Sequence, residues 1–140
     1  MADVIYNSFK RDIANGSIDL DTDTIKVMLV TSTYVPDQDL HTKKSDVTNE
    51  VTGTGYTAGG ATLTSATVTA DNTNNRGVFD AADVTWASST ITARGAVLYK
   101  STGVDTTSNL IAYIDFVTDK TSTSGNFTIQ WNASGILTLS

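Results

Sequence analysis

Cysteine is absent from all 140 residues. That excludes disulfides and thiolate metal sites, so stability in an oxidising or extracellular setting must come from packing, metal or oligomerisation. Proline occurs once, at Pro36, glutamate once, at Glu50, and histidine once, at His41. Charge is scarce as well: charged residues make up 17% of the chain, where about 25% is usual for a globular domain. Lysine and arginine number 9 against 15 acids, a formal net charge of -6. The only adjacent cations are Lys10-Arg11 and Lys43-Lys44, each with acids nearby. A nucleic-acid groove needs clustered cations that displace counterions, so nucleic acid is excluded as an expected partner. No apolar run approaches the length that spans a bilayer, so no membrane partner is expected either. The start carries Asp3 where a secretory signal would carry cations and an apolar stretch, so synthesis in the cytoplasm is expected.

What is present is hydroxyl- and amide-rich: Thr, Ser, Asn and Gly fill the place of the missing charges. Valine, isoleucine, threonine and aromatic residues recur in ordered runs, which speaks for a packed fold rather than disorder. The length suits one domain over residues 1–140.

Residues 1–16 read as an amphipathic helix. Ala2, Ile5, Tyr6, Phe9 and Ile13 fall on one face, Lys10, Arg11 and Asp12 largely off it, with Asp3 as a cap and Gly16 as the terminator. Residues 17–140 read as a β core. A dense run over 25–31 is of strand length, 35–45 is a polar loop, 45–51 allows one helical turn, and 53–60, with four glycines, is irregular. Strand-like segments follow at 62–70, 84–86, 91–100, 110–118, 127–131 and 136–139, with a polar turn at 71–76. The last two, joined by Asn132-Ala133-Ser134-Gly135, predict a β-hairpin. The expected fold class is mainly β, an antiparallel sandwich or a Greek-key or jelly-roll-like barrel with a short N-terminal α-helix.

Motifs of chemistry fail on inspection. Asp19-Leu20-Asp21-Thr22-Asp23 opens like a calcium loop, but Thr24 and Val30 stand where glycine and glutamate are required. The glycines of 53–60 lack the strand before and helix after that dinucleotide binding needs, and a packed-down Tyr56 suits the loop better. His41 in a polar loop is expected at the surface, with no Gly-x-Ser-x-Gly motif to support a hydrolase. Asp115, between Ile114 and Phe116, is the one acid in an apolar setting, and alternation allows it to pair with Arg94 on a neighbouring strand. Trp86 and Trp131 are large anchors at strand ends, suited to core or inter-subunit packing. No catalytic, cofactor-binding or metal-binding residue is expected.

Several strings carry a resemblance. They are Ile25-Lys26-Val27-Met28-Leu29-Val30-Thr31-Ser32 with Tyr34 and Pro36, and Glu50-Val51-Thr52-Gly53-Thr54-Gly55-Tyr56-Thr57-Ala58-Gly59-Gly60-Ala61-Thr62-Leu63. Further along come Asp83-Val84-Thr85-Trp86, Thr92-Ala93-Arg94-Gly95-Ala96-Val97-Leu98-Tyr99-Lys100 and Trp131-Asn132-Ala133-Ser134-Gly135-Ile136-Leu137. Together they resemble a family of small virion structural proteins of tailed bacteriophages, over nearly the whole chain. The resemblance implies a capsid decoration (cement) protein on the outer shell, a homotrimer whose partner is the major capsid protein. A tail-fibre or receptor-binding module is the alternative, and a small depolymerase the weakest one. The face carrying Ile5, Tyr6, Phe9 and Ile13 is a candidate docking surface, with Trp86 and Trp131 as further interface candidates. Coverage of the β core by that helix is the favoured competing explanation.

Overall fold

A computed structural model describes residues 2–140. Its first strand of substance is β2 (Ile25–Val30); β1 (Val4–Ile5) and α1 (Asn7–Ala14) precede it. The run Ile25-Lys26-Val27-Met28-Leu29-Val30 is apolar at nearly every position because β2 is covered on both faces. Ile25, Val27 and Leu29 enter the main core, whereas Met28 and Val30 enter a second cluster rich in tyrosine. Period-two geometry produces that division.

Downstream lie β3 (Ala61–Thr62), β4 (Thr67–Asp71), β5 (Arg76–Asp80), β6 (Val84–Lys100), β7 (Leu110–Ile129) and β8 (Leu137–Leu139). One antiparallel sheet has the order β1-β7-β6-β2-β3, the other β4-β5-β8. Among the described residues the fold is therefore mainly β, two antiparallel sheets and one short α-helix, with no closed barrel. Phe79 and Leu137 of the small sheet meet Trp86, Ile91, Phe127 and Ile129 of the large one in the main core.

Four expectations need correction. The helix does not fill residues 1–16: Val4 and Ile5 pair with Tyr113 and Ala112 as strand β1, and Tyr6 is extended at φ -66 and ψ 139. β-branched side chains favour that extended entry. Asp3 accordingly caps no helix, and its Oδ1 accepts the Asp115 N–H at 2.7 Å. Asp12, expected off the apolar face, is buried together with Ser8 and Phe9.

The second correction concerns 87–90 and 119–126, which the sequence leaves as gaps. Both belong to the continuous strands β6 and β7, whose pairing slips at bulges. Ser88, Val117 and Ser124 take φ values of 50, 71 and 46. Third, the segment over 62–70 is broken into β3 and β4, with Ser65 at φ 55 between them. Fourth, the turn at 132–135 exists, with Gly135 N–H donating to the Asn132 carbonyl at 2.9 Å, but β8 pairs with β5 in the other sheet. No hairpin joins β7 to β8. The strand β5 itself, pairing both β4 and β8, was not expected.

Candidate interaction groove

The residues singled out by chemistry are mostly tied into the fold. Arg94 Nε donates to Asp115 Oδ1 at 2.9 Å, from the neighbouring strand as expected. The same oxygen accepts the Val117 N–H at 3.0 Å, which holds that residue in its left-handed conformation. The Arg94 hydrogen bond, helped by the Val117 N–H and the guanidinium charge, holds the Asp115 carboxyl below the usual carboxylate range. A carboxyl with a depressed folded pKa stabilises the fold above its unfolded value and loses that contribution as pH falls through the folded one. The Asp46 and Asp71 carboxyls are lowered too, the first mainly by the Thr42 N–H and the second by Asn74 and Arg76. Stability is thus expected to fall as pH drops below about 4. D115N should show a shallower decline than the parent chain between pH 5 and pH 2.5, followed by urea midpoints at each pH.

Glu50, the only glutamate, organises the glycine loop. Its Oε2 accepts the Tyr56 hydroxyl at 2.7 Å and the Gly59 N–H at 2.7 Å. The Tyr56 oxygen in turn accepts the Leu29 N–H at 3.0 Å, so Tyr56 does pack down onto β2. Burial, with the Glu50 bond second, raises the Tyr56 pKa. Tyr56→Phe would leave the Leu29 N–H and the Glu50 oxygen without this partner. The expected loss is about 1–3 kcal/mol in urea unfolding.

His41 is half-buried and not simply a surface group. Its Nδ1 lies 2.9 Å from the Tyr34 hydroxyl and accepts the Asp37 N–H at 3.1 Å, and the two rings stack. The Tyr34 hydroxyl lies 2.8 Å from that of Tyr6, deep in the second cluster. Desolvation pushes the Tyr34 pKa up to about 12 and raises that of Tyr6 further. In the acidic turn, Asp19 and Asp21 share a hydrogen bond that lowers the first and raises the second, while Asp23 pairs with Lys100 at 3.1 Å. Among the described residues no three His, Asp or Glu side chains converge as a metal site.

The interface candidates divide. Tyr6, Phe9 and Trp86 are buried in the single chain, so they present no area to a partner. Ile5, Ile13 and Trp131 are half-buried at the margin of the main core.

Trp131 leads to a feature that sequence reasoning missed. Its Nε1 donates to the Ala82 carbonyl at 3.0 Å and its backbone N–H to Asp83 Oδ1 at 3.0 Å, which fixes the indole. Beside it runs a groove of about 500 Å³ between the outer edge of β7 and the segment leading to β8. Ile114, Phe116, Phe127, Trp131 and Ile136 form its apolar walls; Asp3, Lys120, Asn126 and Gln130 add polar groups. The volume and the mixed lining are those of binding clefts. Nothing matches this chain among protein-family models, curated proteins or solved structures. Geometry alone bears on what the groove does. The one signal within the sequence is Ile114-Asp115-Phe116, where the expected alternation sends two apolar side chains to the face opposite the Arg94-Asp115 pair.

Proposed function

We propose that this chain is a structural component of a tailed-phage virion, placed on the outer shell as a decoration protein and working by adhesion rather than by chemistry. One observation supports this above others. Three groups able to perform acid–base work are engaged in holding the fold: Asp115 with Arg94, Glu50 with Tyr56 and Gly59, His41 with Tyr34. Such side chains stiffen a body that must keep its shape without cysteine. A net charge of -6 suits a position away from packaged DNA. Among the described residues no helix is long and apolar enough to cross a membrane.

On this proposal each subunit makes modest contacts with the major capsid protein and with two copies of itself, and repetition over the shell multiplies them. Cryo-electron microscopy of the intact particle tests it. Hundreds of copies in a regular array on the shell are expected, and a handful at the tail overturns it. The second outcome would favour a receptor-binding module, for which the fixed indole of Trp131 beside Asn126 and Gln130 offers the aromatic and amide groups that sugars use.

A further inference from the structure

β7 is a long strand with an incomplete set of neighbours. On its outer side β1 reaches only Ala112 and Tyr113, and Asp3 Oδ1 accepts the Asp115 N–H. Beyond that point, among the described residues, β6 is the only strand paired with β7. An unpaired edge of this length invites another strand, and proteins usually blunt it with charges or bulges. The bulge around the exposed Val117 does so for its first part. The later part is different. Residues 126–129, the last four of β7, line the groove without a break, and 130–132 continue the lining beyond the strand. Successive side chains of a strand point to opposite faces, so an unbroken run of lining residues means that the backbone edge itself faces the groove.

We propose that this groove receives an extended peptide segment of another protein, added as a further strand beside residues 126–130. Main-chain hydrogen bonds to the open edge would supply affinity, as in other strand-addition sites, and the apolar walls would take alternate side chains. Phe116, Trp131 and Ile136 are only partly buried and are the surfaces available for them. Charge decides the remaining feature. Lys120, exposed at the rim, is the one cation among the residues lining the groove and makes no hydrogen bond or ion pair among the described residues, whereas the Asp3 carboxylate already serves the Asp115 N–H through Oδ1. The fitting segment therefore carries apolar residues at every second position and a carboxylate that meets Lys120. The short strand β1 already uses this mode farther along the same edge, at Ala112 and Tyr113. The inference needs no assumption about shell or tail.

The test uses the full chain and two synthetic heptapeptides with blocked ends, alternating valine and threonine, one with a central glutamate and one with a central lysine. Amide hydrogen exchange and the Trp131 indole resonance are followed by NMR. With the glutamate peptide, amides within 126–130 that do not bond to β6 should gain about tenfold protection, and the Trp131 signal should shift. Lys120→Glu, at an exposed position, should weaken that peptide about fivefold and strengthen the lysine peptide. Unchanged exchange at millimolar peptide overturns the proposal. So does equal affinity for both peptides, protection arising from a second copy in concentrated protein alone, or an oligosaccharide moving Trp131 where the peptides do not. Because no particle is involved, failure here leaves the proposed virion role standing, and failure of that role leaves the groove result standing.

Discussion

Replacing Phe9 with alanine is expected to remove about 3–5 kcal/mol of stability. The ring is 1% exposed and belongs to the main core, although it sits on the short helix α1. The loss combines the transfer energy of the ring with a cavity in a cluster that also holds Leu29, Ala96 and Ile111, whose strands are paired in the large sheet and cannot move freely to fill it. For a chain of this length, total stability is on the order of 7–21 kcal/mol. The variant should therefore still fold, with a lower urea midpoint and an unchanged slope. Removing residues 1–16 is a harsher change. It strips Tyr6 and Phe9 from two clusters and β1 from the edge of β7, and the expected product is unfolded. Loss of particle binding by that truncation would therefore report a lost fold rather than a lost docking face. Ile13, half-buried on the same helix, is the position at which the docking idea can be tested without unfolding the chain.

Gly60→Ala is expected to lower stability by at least about 3 kcal/mol. Gly60 has φ +77, and a Cβ there would lie 1.9 Å from the Val27 carbonyl oxygen and 2.7 Å from Met28 Cα. Both neighbours are backbone of β2, held between β6 and β3, so neither can swing aside as a side chain would. The nearby Gly59 N–H is bound by Glu50, which prevents the loop from backing away. Gly16→Ala is the control. Its φ is +80 but nothing lies within 4 Å of the added atom, so only the conformational penalty of about 1 kcal/mol applies. Thermal unfolding should separate the two by roughly 4–8 °C or more in this size class. Similar shifts for both would mean that the close approach of loop and strand is absent.

Much of the large sheet was legible in the sequence, and the reasons are specific. The run at Ile25–Val30 is long enough and β-branched enough to be one thing only. The pairing of Asp115 with Arg94 followed from two strands in antiparallel alternation. Residues 87–90 and 119–126 read as loops because their serines, glycine and asparagine have loop composition. In the fold those serines mend the bulges: Ser89 Oγ lies 2.8 Å from Ser122 Oγ, 3.0 Å from the Trp86 carbonyl and 2.9 Å from that of Gly125. Side-chain hydroxyls thus replace ladder bonds, a substitution that composition hides. The hairpin expected from 127–139 had the right turn residues and the wrong partner, since pairing with β5 depends on a distant strand of weak signal. The bond from Tyr56 to Glu50 and the groove beside β7 were illegible for a related reason. Each depends on where a loop or a chain end comes to rest, which no local period encodes.

The pairing of Val4 with Tyr113 has a consequence for how the chain is made. Ribosomes emit about 5–20 residues per second, so the first strand waits several seconds before its neighbour leaves the exit tunnel. Through that interval Tyr6 and Phe9 remain wet and adhesive, and a segment made well before its neighbour is among the last to find its place. A fusion or tag ahead of Val4 would act on this delay before it acted on the finished molecule.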